Sequence, residues 1–176
     1  ASLLLSTEST IPSELLSGTP AVSNSSSLTS GINFRIDTRD DFYAPTKGIF
    51  FNNTYKYTSK KINSKSVSVT SETRTGFSLQ RLEFDLNIYQ RFFEKQVAAF
   101  SIHARELRGD DIELSDLYFL GGANSLRGYT EKQFQGNRLL WSNLEYRLLL
   151  SRRSFAFLFF DSGYYLRGEN LKMNIP

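Results

Sequence analysis

Apolar and polar residues alternate with a period of two in six segments of the chain. Between Arg81 and Ile88 the alternation is unbroken. Leu82, Phe84, Leu86 and Ile88 stand on one face, and Arg81, Glu83, Asp85 and Asn87 on the other. Side chains of a strand point to alternate faces, so the segment predicts a strand with one apolar and one polar side. Ile32–Asp37, Val97–Arg105 and Leu140–Leu148 repeat the pattern. Gly48–Thr58 follows it with breaks at Phe50 and Asn53. Phe155–Tyr165 is the least regular, because Phe157 and Phe159 share a face with Asp161. These are six strands, and Ser2–Glu8 reads as the end of an earlier seventh.

The spacing between the strands separates two architectures. Thr38–Lys47, Phe93–Gln96 and Ser151–Ser154 are short or turn-like, whereas Ser59–Ser78 and Glu106–Arg138 are long. Short turns on one side and long loops on the other are the rhythm of outer-membrane barrels. The polar faces carry full charges, Arg35, Asp37, Glu83, Asp85, Arg105, Glu145 and Arg147, which suit a wall facing a wet lumen. Tyr55, Tyr57, Phe92, Tyr164 and Tyr165 lie near strand ends, where interfacial girdles form. A soluble β-sandwich alternates in the same way, but its aromatic faces would have to meet in one core.

The predicted fold is therefore all-β, an antiparallel up-and-down transmembrane β-barrel, here an incomplete segment of six or seven strands. Residues 1–30 are expected to be a Ser/Thr-rich loop around the preceding strand, with Ser23–Ser30 as low-complexity loop. Residues 31–176 are expected to form the partial barrel, including the 106–138 loop.

Composition narrows the functional classes. The 176 residues include no Cys and one His, His103, which argues against thiolate or His-cluster metal sites and against a Ser–His–Asp triad. A net charge of +3 is too small and too scattered for a nucleic-acid footprint. The longest apolar run, Phe155–Phe160, is far short of a membrane helix, although a β-span needs only ~9–11 residues. Ala1–Leu5 lacks the basic start of a signal peptide. No metal, no cofactor and no enzymatic activity are expected.

The Glu106–Arg138 loop is long enough to expect a function of its own. It contains Gly121-Gly122 and then Leu126-Arg127-Gly128-Tyr129. It is not a phosphate loop, since no Gly-Lys-Ser/Thr sequence and no helical pattern follow.

Four motifs in order give the chain a family likeness. Asp37-Thr38-Arg39-Asp40 precedes Pro45-Thr46-Lys47-Gly48, the loop motif follows, and then come Leu144-Glu145-Tyr146-Arg147 and Phe159-Phe160-Asp161-Ser162-Gly163. The chain resembles the BamA/TamA superfamily of outer-membrane assembly barrels, the bacterial surface antigen type, which includes two-partner secretion transporters. The likeness runs from about Gly31 to Tyr165. It implies a barrel gated between its first and last strands, with the long loop folded into the lumen and Arg127 paired to Glu145 and Asp161.

Arg suits such a role because its planar fork of donors matches carboxylates. Read without the family, Glu145 and Asp161 are also an acid/base pair of glycosidase type, a reading the nearby Arg disfavours. His103 is expected on the lumen wall, and Trp141 against the inserted loop.

The resemblance further implies an insertase that assembles β-barrel proteins into an outer membrane, with a two-partner-secretion-type translocator as the alternative. A passive porin would not need the loop motif. The implied partners are unfolded outer-membrane or secreted polypeptides, outer-membrane lipid and accessory assembly lipoproteins. The implied location is the outer membrane of a Gram-negative bacterium, or of an organelle. The periplasmic domains and the terminal aromatic strand of such proteins are not in this sequence, so the chain is expected to be an internal piece of a larger protein, or one completed by other copies or segments.

Overall fold

The computed structural model describes residues 2–10, 23–65, 72–109, 112, 114–151 and 154–168. Seven antiparallel strands form one sheet: β1 (Ser2–Thr10), β2 (Ser23–Asp37), β3 (Gly48–Lys65), β4 (Glu72–Phe93), β5 (Gln96–Gly109), β8 (Arg138–Leu149) and β9 (Phe155–Leu166). Each pairs with the next in that order. Between β5 and β8 lie a short 3₁₀ turn (Leu114–Asp116) and a two-stranded ribbon of β6 (Tyr118–Leu120) and β7 (Phe134–Gly136). The all-β meander is the predicted fold, in the form of a barrel segment.

Register locks the two faces. Asp85 pairs with Asn52 on β3 and His103 on β5, and His103 pairs with Trp141 on β8. Trp141 in turn faces Gly163, and Asn143 faces Asp161, on β9. A polar row from Asn52 through Asp85 to His103 therefore crosses the inner face and continues into Trp141, with Asn143 and Asp161 on the same face two residues along β8 and β9. On the outer face Phe34, Phe51, Phe84, Ile102, Ser142 and Ser162 follow the opposite parity. A slip of one residue anywhere would exchange the charged and apolar faces.

The outer face is apolar and exposed. Ile32, Tyr55, Leu82, Phe100, Leu144, Leu158 and Phe160 stand at 40–75 % exposure, a pattern that a water-facing surface of this extent would not tolerate but a lipid-facing one requires. The Glu106–Arg138 ion pair, 2.9 Å long, marks the rim of this band at the long-loop end.

Three expectations are corrected. Ser23–Ser30 is not a loop: it is the first half of β2, paired from Ser23 opposite Ser64. Of the expected Ser59–Ser78 loop, residues 59–65 and 72–78 are strand, since β3 and β4 stay paired out to Lys65 and Glu72, and residues 66–71 lie outside the described residues. The reason is common to both. These stretches are polar on both faces, so period two is invisible, yet antiparallel pairing still satisfies their backbone groups. At 18 and 22 residues, β3 and β4 exceed the ~9–11 that cross a bilayer, so the hairpin extends past the lipid. Tyr165 is the third. It shares the inner parity of Asp161 and Gly163 and packs on Phe134, with ring centres 5.2 Å apart, rather than joining an outer girdle.

The short connections all lie at one end of the sheet. There the 38–47 hairpin is tightly capped. Asp40 accepts from the backbone N–H of Thr46 (2.8 Å) and Lys47 (3.1 Å) and from the Thr46 hydroxyl. Asp41 accepts from the N–H of Tyr43 and Ala44. Burial works against the Asp40 charge, but the Thr46 hydroxyl and the backbone donors outweigh it and hold its pKa below the ordinary aspartate value. The Asp40 caps therefore persist at every pH above about 3.9 and fade as pH falls through the lower folded value.

Ile102 lies mid-strand on the outer face of β5, so Ile102→Arg should destabilise the full-length barrel by about 2–4 kcal/mol. Equilibrium urea unfolding in lipid measures this. A loss under about 0.5 kcal/mol, the ordinary range for a water-exposed site, would contradict a lipid-facing position.

Candidate functional site

The long loop runs over the inner face of the sheet and ends in a tip at 121–129. Glycine sets its shape. Gly121 sits at φ +118°, and a Cβ there would lie 2.5 Å from the Thr130 carbonyl oxygen, so no other residue fits without displacing backbone. Gly122 and Gly128 also adopt positive φ, +99° and +90°. The turn is closed by the Gly122 N–H on the Leu126 carbonyl (3.1 Å) and by the Gly121 N–H on the Ser125 hydroxyl (2.9 Å).

This turn aims Arg127 at the wall. Its Nε donates to Asp161 Oδ2 at 2.8 Å and its Nη2 to Asp161 Oδ1 at 2.6 Å, a two-pronged contact. The Arg127 backbone N–H donates to the same carboxylate at 2.9 Å. Its Nη1 reaches Glu145 Oε1 at 2.5 Å. Asp161 is the deepest member of the set, its side chain 4 % exposed, against 16 % for Arg127 and Glu145. Asp161 first, then Glu145, raise the Arg127 pKa against the opposing cost of burial.

Aromatic rings complete the seat. The Arg127 guanidinium lies 4.1 Å from the ring centre of Phe159 and 5.7 Å from that of Phe157. Both rings share the inner face with Asp161, which is why they break the alternation of β9. Phe50 is the same case on β3: it lies under Arg35 and Arg39 at 4.9 and 4.7 Å. A ring on the polar face thus marks a place where an arginine is seated by cation–π attraction.

The tip is also held by further contacts, among them the expected packing of Trp141 against the loop. Asn143 Nδ2 donates to the Ser125 carbonyl at 2.6 Å. Leu126, 5 % exposed, packs with Leu120, Leu139 and Trp141. It also sits directly over Gly163, where a Cβ would come within 2.6 Å of its Cδ1. The glycine makes room for the loop in the wall. Tyr129 is exposed, edge-on to Phe134 at 5.1 Å.

Glu145 is shared. Its other oxygen accepts from Arg147 Nε at 2.7 Å, and Arg147 lies over Tyr89 and Phe155 and donates to the Pro45 carbonyl at 3.4 Å. The loop tip thus reaches the hairpin at the opposite end of the strands. In that hairpin Arg39 grips Asp37 through two 2.8 Å bonds, and Gly48, at φ +106°, turns beneath the Thr38 carbonyl. His103 lies on the inner wall as expected, but with defined partners: Asp85 at 2.7 Å and a stack on Trp141 at 4.8 Å.

The structure thus brings Gly121, Gly122, Leu126, Arg127, Gly128, Glu145 and Asp161 into one site. It places Asp37, Arg39, Asp40, Pro45 and Gly48 in another, linked to the first through Arg147. Both carboxylates are engaged by one guanidinium, an arrangement that holds a position rather than one that poises an acid and a base.

Three bonds to Asp161 against one to a shared Glu145 make the two partners unequal. Asp161→Ala should speed tryptic cleavage at Arg127 in the folded protein about tenfold more than Glu145→Ala does, a difference of about 1.4 kcal/mol in tip opening. Equal acceleration would contradict the unequal division of the anchorage.

The model of the Omp85 superfamily domain matches residues 15–173. No curated protein matches the chain.

Proposed function

The chain belongs to the Omp85 superfamily, and we propose that it is part of an insertase that assembles β-barrel proteins into the outer membrane of a Gram-negative bacterium. Membership implies an outer-membrane barrel concerned with inserting or translocating polypeptides. The choice of insertase rests on one observation: the loop tip is fastened into the inner wall by Arg127 and by the Leu126 contact over Gly163. A lumen occupied in this way is poorly suited to threading a chain. The remaining route for a client is the edge of the sheet, where unpaired backbone groups template an incoming strand.

In this reading the chain carries out no covalent chemistry and uses no cofactor. Its partners are unfolded outer-membrane polypeptides and lipid, with accessory lipoproteins on the periplasmic side. Arg127 acts as a latch that stiffens the wall formed by β8 and β9. The alternative, a two-partner-secretion-type translocator, requires the tip to leave the lumen when a client passes. The surface-antigen type of assembly barrel is the member class we favour.

Depletion of the full-length protein, followed by quantitative proteomics of outer-membrane and secreted fractions, separates the two. A broad fall in barrel proteins is expected. Loss of one secreted protein with barrels intact would overturn the insertase reading in favour of the translocator.

Arg127→Ala should leave the barrel inserted, judged by heat-modifiable gel mobility, while client assembly falls several-fold. Wild-type assembly in that variant would remove the latch from the mechanism. Arg127→Glu combined with Asp161→Arg should restore part of the loss.

A further inference from the structure

The loop meets the sheet at a second place, away from Arg127. Before the tip, Asp116 Oδ1 accepts from Arg81 Nη2 on β4 at 2.9 Å. The Tyr118 hydroxyl donates to Glu83 Oε1, also on β4, at 3.1 Å, and Lys56 on β3 approaches the same carboxylate at 3.8 Å. Burial, and then the Glu83 charge, hold the Tyr118 phenol above its ordinary pKa, so it remains a donor. Beneath these polar contacts Ile112 and Leu117 pack on Leu79 and Leu107, all 4 % exposed or less.

This cluster is separate from the one under the tip. The tip cluster contains Leu120, Leu126, Leu139 and Trp141. Among the described residues only Tyr118 packs against both. The first anchorage rests on β4 and β5, and the second on β8 and β9. Three strand intervals separate β4 from β9, roughly 14 Å. Among the described residues no buried side chain belongs to both clusters.

We propose that the loop is held by two independent fastenings, an arm fixed by Asp116 and Tyr118 to Arg81 and Glu83, and a tip fixed by Arg127, so that the tip opens while the arm stays docked. Asp116 and Tyr118 are positioning residues: they hold the base from which the tip swings. Tyr118, lying between the two clusters, is the hinge. Releasing Arg127 would then uncover the inner face of β8 and β9 without emptying the lumen over β4 and β5. The proposal concerns the loop itself and holds whether the client is an outer-membrane or a secreted polypeptide.

Amide hydrogen exchange on the full-length protein in lipid tests it by reading the arm (114–119) and the tip (121–129) as separate peptides. Arg127→Ala should raise exchange in the tip about tenfold and change the arm less than about twofold, the behaviour of two local opening units. Asp116→Asn with Tyr118→Phe should do the reverse. Arg81→Asp with Asp116→Arg should restore arm protection, a rescue that a general loss of folding would not give. Parallel loosening of both segments in Arg127→Ala would overturn the proposal. So would an unchanged arm in the Asp116→Asn, Tyr118→Phe protein.

Discussion

One arginine in the loop tip, held by two carboxylates on neighbouring strands, is the contact on which the inner side of this molecule depends. Its energy lies less in net attraction than in what its loss would leave behind. Ion pairs taken out of water roughly balance desolvation against Coulomb attraction, whereas an orphaned buried charge costs about 3–5 kcal/mol. Asp161 is nearly fully covered by the loop that Arg127 belongs to. The clasp is therefore self-sealing: the loop shields the carboxylate that holds it. Specificity of position follows from the fork geometry and from the glycines that allow the turn, with Gly163 providing the gap that Leu126 fills.

The clasp is only possible because the sheet is two-faced. Lipid outside favours apolar residues over most of the outer face and requires closed backbone pairing, and the same parity sends most of the strand charges inward. An inner wall so rich in charge needs partners. The wall meets that need internally, with arginines seated on rings and carboxylates: Arg105 by Asp85 and Trp141, Arg147 by Glu145 and Phe155, Arg127 by Asp161 and Phe159. Glu145 and Arg147 then join the loop tip to Pro45, so the loop end and the turn end of the sheet share one hydrogen-bonded line.

Much of this is legible in the amino-acid sequence. Where one face of a strand meets lipid, as from Leu82 to Ile88, period two is forced on the sequence and both the strand and its orientation can be read. The union of Arg127 with Glu145 and Asp161 was readable only through the resemblance, since residues from 16 to 34 positions apart carry no local signal of contact. Ser23–Ser30 and the outer part of the β3–β4 hairpin were misread because a strand clear of the bilayer has no apolar face to declare it. Phe50, Phe157 and Phe159 looked like defects in the pattern, yet each is a platform for an arginine. Pattern-breaking aromatics on a charged face were thus a usable signal for the sites themselves. Asp116 and Tyr118 had none, because their partners Arg81 and Glu83 lie far upstream in the chain.

The most direct test of the central claim is a double-mutant cycle between Arg127 and Asp161, each replaced by Ala singly and together, read as unfolding free energy of the full-length barrel in lipid. A direct clasp predicts a coupling of about 1–3 kcal/mol, with the double variant less destabilised than the sum of the single ones. Additive effects, with coupling near zero, would contradict a clasp between these two residues and leave the loop to be held by packing alone.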